Sequence, residues 1–145
     1  MRMDLLEVLT VGLPFCGFKI LAGLSLGGPP GVLLVGLGVL DAVINGINLL
    51  GLLVNRRRPM AACTLALAAL PFRKPSASRQ KWLDLGNSLD VLLAFALVAL
   101  MIGYGRLAAM PAERLSVWNA CVILNVLGAG LGRFGASLRD LSRDA

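Results

Sequence analysis

The most apolar stretch of this chain, from Val32 to Asn55, carries three polar side chains: Asp41, Asn45 and Asn48. Their spacing of four and then three residues places them on one face of a helix. A carboxylate near the centre of a bilayer costs several kcal/mol unless it is paired or faces the interior of a bundle. This face must therefore meet other helices, and its chemistry is either ion or proton binding or interhelical hydrogen bonding.

The first apolar stretch supplies a cation at a matching depth. Counted at about 1.5 Å per residue from the helix ends, Lys19 lies about 10–12 Å and Asp41 about 13–14 Å from the same membrane surface. Each alone at that depth is a costly unpaired charge. We therefore expect Lys19 and Asp41 to form a buried ion pair.

A second set of polar residues is predicted closer to the opposite surface. Counted from that side, Asn48 and Asp90 are about 10 Å deep and Asn125 is about 12 Å deep. These depths predict a polar level that joins the second, third and fourth helices, with Asn45 between the two levels. Asn87, a polar residue that the third span must include to reach its length, is a further candidate for the polar network.

Two interpretations of the buried carboxylates stay open. Asn side chains and paired Asp and Lys hold transmembrane helices together by hydrogen bonds. Alternatively, Asp41 and Asp90 line a path for ions or protons, as intramembrane carboxylates often do. The two interpretations are balanced for Asp41, because Lys19 neutralises it. For Asp90 the functional interpretation is favoured, because no cation on another span matches its counted depth.

The elements that must position these residues are four apolar helices. Hydrophobic residues make up 57% of the 145 residues and charged residues 15%, and the mean hydropathy is +0.80. Spans of about 20 residues are needed to cross a bilayer. The predicted spans are 5–26, 32–55, 82–103 and 115–133. The fold class is all-α, a polytopic membrane protein formed as one four-helix bundle over 1–145.

The connections between the spans have distinct predicted forms. The uncharged link 27–31 predicts a tight turn. Residues 60–70 form an apolar run of about 16 Å, too short to cross, which predicts an interfacial or re-entrant helix, with a strongly thinned fifth span left open. Pro14 predicts a kink or an unwound turn in the first span. The tail 134–145 is predicted to be an amphipathic helix in the headgroup region.

The distribution of basic residues predicts the orientation. The segment 55–82 holds seven Lys and Arg residues, whereas 27–31 holds none. Positive residues concentrate in cytoplasmic loops, so both termini are predicted to be cytoplasmic, in a plasma or inner membrane. The net charge of +6 lies beside apolar spans. We therefore expect the basic residues to interact with the bilayer's anionic lipid headgroups and not with nucleic acid.

Gly128, Gly132 and Gly135 form a stripe of small residues on the last span, continuing the face of Trp118 and Asn125. Small residues let helix backbones approach closely. Packing within the chain is the favoured interpretation. A homo-oligomer or a membrane partner subunit remains the alternative.

No enzyme motif emerges from the sequence. The chain contains no His, which removes the usual general base and the commonest metal ligand. Asp84 and Asp90 are six residues apart and point about 120° away from each other on a helix. The three cysteines are interpreted as small buried hydrophobes. We expect no cofactor or metal and a non-enzymatic interaction, scaffold or accessory subunit; the alternative is a small channel or ion-coupled transporter using Asp41 and Asp90.

Overall fold

A computed structural model describes residues 3–55, 57–70 and 78–141, which form helices joined by turns. The elements are α1 (Met3–Glu7), a π-helical turn (Val8–Gly12), α2 (Leu13–Leu26), α3 (Gly28–Val54), α4 (Thr64–Ala69), α5 (Arg79–Gly103) and α6 (Ala112–Leu141). Four helical stretches are long and apolar enough to cross a membrane: Leu5–Leu26, Gly28–Val54, Arg79–Gly103 and Ala112–Gly132. The predicted all-α, four-span fold class is confirmed.

The first span changes helix type close to Pro14. Proline has no N–H to donate, so the backbone carbonyl of Thr10, four residues earlier, is left without its helical donor. The π-helical turn Val8–Gly12 lies at this point, and the N–H of Leu13 bonds to the carbonyl of Val8. Asn125 of α6 donates to the Thr10 carbonyl over 3.3 Å. The irregularity predicted from Pro14 is thus present, and a neighbouring helix supplies the missing donor.

The turn between the first two spans is shorter than predicted. Only Gly27 lies outside a helix, and its φ of +65° belongs to the left-handed region that favours glycine. Pro29 and Pro30 fall in the first turn of α3, where a missing N–H leaves no bond unmade. The second span therefore begins at Gly28 instead of Val32. We call this end of the bundle the Gly27 end and the opposite one the Arg58 end.

The first span occupies the centre of the bundle. Over half of it is buried, and it makes close backbone contacts with α3, α5 and α6. Between the described parts of α3, α5 and α6 no comparably close backbone approach occurs. The main apolar core extends from the level of Phe15 to the Gly27 end; its largest members are Phe15, Phe18, Leu97, Met101 and Trp118. Interior groups of the first span can therefore meet side chains from every other span.

The segment 57–70 enters the bundle from the Arg58 end. It contains α4, and the backbone N–H of Thr64 donates to the side chain of Asp41, the central residue of α3. Asp41 is about 20 Å from either end of that helix. On its other side α4 packs against α5, where Gly86 lies against the backbone of Ala66. A segment that enters from the Arg58 end and reaches the middle of α3 has the geometry of the re-entrant alternative, and we call 57–70 the re-entrant segment.

The third and fourth spans, α5 and α6, begin three residues earlier than predicted. α5 starts at Arg79 instead of Trp82, and α6 starts at Ala112 instead of Leu115. α6 continues to Leu141, so the predicted tail 134–145 begins as a continuation of this helix. The tail's side chains beyond Gly135 lie outside the described residues.

Candidate intramembrane polar site

Lys19 lies between two carboxylates in the interior of the bundle. Its ammonium group donates to Asp41 Oδ2 and to Asp90 Oδ1. The exposed fractions of the three residues are 1%, 2% and 4% in that order. The first span, α3 and α5 thus contribute one charge each to a buried cluster, which we call the charge triad. With all three groups ionised the triad holds one more negative charge than positive.

The two carboxylates of the triad differ in their donors. Asp41 accepts from Lys19 at one oxygen and from the backbone N–H of Thr64 at the other. Of the described residues, only Lys19 donates to Asp90. Charge-assisted hydrogen bonds favour the ionised form of an acceptor. Within the described part of the chain, Asp41 thus has two donors, one at each oxygen, whereas Asp90 has one.

The predicted Lys19–Asp41 contact is present, but the expectation that Asp90 has no matching cation is wrong. Because α5 begins at Arg79, Asp90 lies about 16 Å along the helix and not about 10 Å. The four-carbon stem of Lys19 covers the remaining difference in height between the two carboxylates. The depth of Asp90 was estimated wrongly because the start of α5 was placed three residues too late. The estimate also left out the length of the Lys19 side chain.

The predicted second polar level does not form. Asn48 bonds to the re-entrant segment, donating to the Ala61 carbonyl over 2.9 Å and accepting from the Met60 N–H over 3.0 Å. Asn125 instead meets the first span at Thr10. The three residues assigned to one level by depth thus do not bond to one another: Asn48 bonds to the segment 57–70, whereas Asn125 and Asp90 both bond to the first span.

Asn45 and Asn48 hold irregular backbone inside the bundle. Asn45 donates to the Asp41 carbonyl over 2.9 Å and to the Ala62 carbonyl over 3.3 Å. Non-helical backbone at membrane depth requires such partners, because lipid offers none. The polar face of α3 therefore binds the re-entrant segment through Asn45 and Asn48, and it contributes Asp41 to the ion pair.

Two adjoining cavities, which share four lining residues, lie between the Arg58 end and the triad. The outer one, the vestibule, has a volume of about 460 Å³ and a mostly polar lining that includes Arg79, Gln80 and Asp84. The inner one has a volume of about 40 Å³ and reaches Asp41 and Asp90. Residues that line both cavities are Glu7, Arg58, Ala62 and Asn87. The predicted site residue Asn87 is thus placed at the junction between vestibule and triad.

The triad is closed towards the Gly27 end by the apolar core. Phe18 directly precedes Lys19 in the first span, and the ring centroids of Phe18 and Trp118 are 4.9 Å apart. Ala94 and Leu97 of α5 are almost fully buried in the same core, just beyond Asp90. The described residues therefore give the triad a polar approach from one end only.

The ion pair at the junction of the two cavities was not predicted from the sequence. Arg58 Nη2 lies 2.8 Å from Glu7 Oε2, at the point where the cavities meet. A signal was present, because Glu7 and the Arg56–Arg58 cluster are predicted at the same membrane surface. Cys63 was interpreted only as a hydrophobe, yet its sulfur accepts from the Ala66 N–H over 3.4 Å and caps α4.

The glycine stripe divides into a packed part and an open part. A side chain at Gly128 would overlap Thr10, so Gly128 packs against the first span of the same chain. Gly132 has no neighbouring atom within 4 Å of where a Cβ would lie. Gly135 is half-buried on the same helix. Intrachain packing thus accounts for Gly128, whereas Gly132 borders an apolar groove with Leu6 and Val11.

The described part of the chain contains no group of three or more Cys, Asp or Glu side chains arranged to hold a metal ion. Comparison of the chain with protein-family models, with curated proteins and with solved structures finds no match.

Proposed function

We propose that this protein is a non-enzymatic interaction or accessory subunit of a membrane assembly. The observation that carries the proposal is the internal pairing of its intramembrane polar groups. Lys19 is shared by two carboxylates, and Asn45, Asn48 and Asn125 all bond to carbonyl groups of the same chain. Polar groups whose hydrogen bonds are all made within the chain support a fixed scaffold. A conducting path instead needs polar groups that can change their hydrogen-bond partners as ions or protons pass.

The outer faces of α3 and α6 give such a subunit its contact surface. Many large apolar side chains of the two helices are exposed, among them Val32, Leu33, Leu40, Leu50, Ile123, Val126, Leu127 and Phe134. In a membrane these faces meet lipid or other helices, and association there depends on close packing. A photoreactive amino acid at Leu127 or Leu33 tests this in intact membranes. We expect an adduct of one defined mass from at least one face, and lipid adducts alone at both would contradict the proposal.

Ion-coupled transport is the second candidate, favoured by the cavities that approach Asp41 and Asp90. Purified protein in liposomes with a pH-sensitive dye separates the two proposals. We expect proton flux equal to that of protein-free liposomes, for the wild-type protein and for Asp90→Asn alike. A flux that Asp90→Asn abolishes would overturn the accessory proposal and establish transport.

The proposed orientation has both termini and the Arg58 end on the cytoplasmic side. It is supported by the contrast between seven basic residues in 55–82 and none in 27–31. Single cysteines at Gln80 and at Ala109, both exposed and at opposite ends, test it in a cysteine-free background. We expect an impermeant thiol reagent applied outside intact cells to label position 109 and to spare position 80. The reverse pattern would contradict the orientation.

The basic cytoplasmic surface would then face anionic lipid headgroups. Each Lys or Arg near such a surface contributes about 1 kcal/mol of attraction, which salt screens. This interaction favours the proposed orientation without requiring a protein ligand at the basic segment.

A further inference from the structure

We propose that the charge triad is a proton-binding site that exchanges protons with the Arg58 end through the vestibule. It extends the proposed function, because a subunit that does not transport can still bind a proton. Three features of the triad support such a site: its charge balance, the unequal donors of its carboxylates and the cavities on one side of it.

The charge balance leaves one negative charge uncompensated inside the bundle. Lys19 offsets one of the two carboxylates, and Lys19, Asp41 and Asp90 are all more than nine-tenths buried. An isolated buried charge is costly, and neutralisation by a proton removes that cost. One proton bound to the triad gives one ammonium, one carboxylate and one carboxylic acid, which is electrically neutral.

Within the described part of the chain, the surrounding elements do not supply the missing positive charge. The inner cavity is also lined by Cys16 of the first span and Cys63 of the re-entrant segment, neither of which is cationic. Glu7 and Arg58 face it as an oppositely charged pair. The closest titratable side chain described on α6 is Cys121, which lies against Gly17. A proton is therefore the charge that balances the triad.

The hydrogen bonds select Asp90 as the acceptor of that proton. Both oxygens of Asp41 already accept from donors, one of them a backbone N–H held in place by α4. Asp90 accepts from Lys19 at Oδ1, which leaves Oδ2 to form the new O–H bond while Lys19 stays an ammonium. A hydronium ion in the vestibule gives up the proton and becomes water.

The cavities define the route of exchange. Asn87 lies one turn before Asp90 on α5 and lines both the vestibule and the inner cavity. Water in the vestibule is separated from Asp90 only by the small inner cavity. The apolar core around Phe18 and Trp118 blocks the other direction. Protons therefore enter and leave by the same end, which allows binding without net transport.

Infrared difference spectroscopy during a pH change tests the proton site. Acidification of the wild-type protein in detergent is expected to produce the carbonyl absorption of one buried carboxylic acid. Asp90→Asn should abolish this absorption, while Asp84→Asn, which removes an exposed carboxylate of the same helix, should retain it. Asp90→Glu keeps a carboxyl group and should shift the absorption, which keeps the test valid if Asp90→Asn fails to fold. Identical spectra for the wild-type protein and all Asp90 variants would overturn the proposal.

The route is tested by hydrogen–deuterium exchange of the same absorption. Asn87→Leu closes the junction with an apolar side chain and is expected to slow the exchange at least tenfold. Ser88→Leu adds the same side chain at the next, exposed position and should leave the rate unchanged. Equal rates in the two variants would show that protons reach Asp90 by another path.

Discussion

At the scale of single residues, Pro14 and Asn125 show how one backbone defect creates an interhelical bond. Pro14 removes the donor that the Thr10 carbonyl would otherwise receive, and Asn125 replaces it from α6. The Thr10 hydroxyl donates to the Leu6 carbonyl over 2.7 Å and lies directly against Gly128. Gly128 must therefore be small, because the Thr10 side chain that makes this hydrogen bond occupies the space beside it.

Gly128→Leu is expected to destabilise the protein. The new side chain would overlap Thr10, and overpacking of this kind typically costs about 1–3 kcal/mol. Gly132→Leu is the matched control one turn further along α6, where space is open. The thermal unfolding midpoint in detergent should fall for the first variant only.

The elution volume of the same variants separates intrachain packing from oligomerisation. If Gly132→Leu converts a dimer to a monomer in size-exclusion chromatography, the open part of the stripe contacts a second copy. An unchanged unfolding midpoint for Gly128→Leu would contradict the intrachain contact.

At the scale of elements, the re-entrant segment depends on contacts with two helices. Its carbonyls and N–H groups bond to the polar face of α3, and α4 lies against Gly86 of α5. A Cβ at Gly86 would lie 2.7 Å from the Leu65 carbonyl oxygen, so only glycine allows this approach. The segment is thus positioned by hydrogen bonds on one side and close packing on the other.

Gly86→Leu is expected to displace α4 and to expose Cys63. Cys63 lies outside the four spans, and burial raises the pKa of its thiol to about 11. The thiolate is the reactive form, so the native thiol should react slowly with an alkylating reagent at neutral pH and faster as the pH rises towards that value. In a protein whose only cysteine is Cys63, Gly86→Leu should raise the labelling rate at neutral pH at least tenfold.

Gly46→Leu provides the control for that labelling experiment. Gly46 also lies inside a span, but nothing is within 4 Å of a Cβ placed there. Its labelling rate should equal that of the parent protein. A rate for Gly86→Leu no higher than for Gly46→Leu would contradict the placement of α4.

The elements themselves were largely predictable, because hydropathy over about 20 residues identifies a span whatever packs beside it. The ends of the helices were less predictable. Proline and glycine at 28–31 suggested a turn, although proline also fits the first turn of a helix. The path of 60–70 was left open because a run of that length suits a surface or an interior position. Its interior position depends on bonds to Asn45 and Asn48, which no local pattern encodes.

Part of the candidate site was also predictable. The Lys19–Asp41 contact could be predicted because a tight turn makes the first two spans neighbours and because the two residues lie at similar depths. The Lys19–Asp90 contact did not, because it depends on the first span lying between α3 and α5. The cavities could not be predicted at all, since they arise from how the re-entrant segment fills the space beside Asn87.

At the scale of the whole molecule, the first span connects all the other elements. It contributes Lys19 to the triad, Thr10 to α6 and its aromatic side chains to the core. Loss of the Lys19 ammonium would leave two buried carboxylates without a cation. Removing one partner of a buried ion pair typically costs about 3–5 kcal/mol, whereas replacing all partners by apolar residues is often close to neutral.

Lys19 holds α3 and α5 to the first span by pairing with both carboxylates, which thermal unfolding in detergent can test. Lys19→Met should lower the unfolding midpoint strongly, while Lys81→Met, which removes an exposed lysine, should not. The triple variant Lys19→Met, Asp41→Leu, Asp90→Leu should be more stable than Lys19→Met alone. A triple variant as unstable as the sum of the three single changes would contradict the claim.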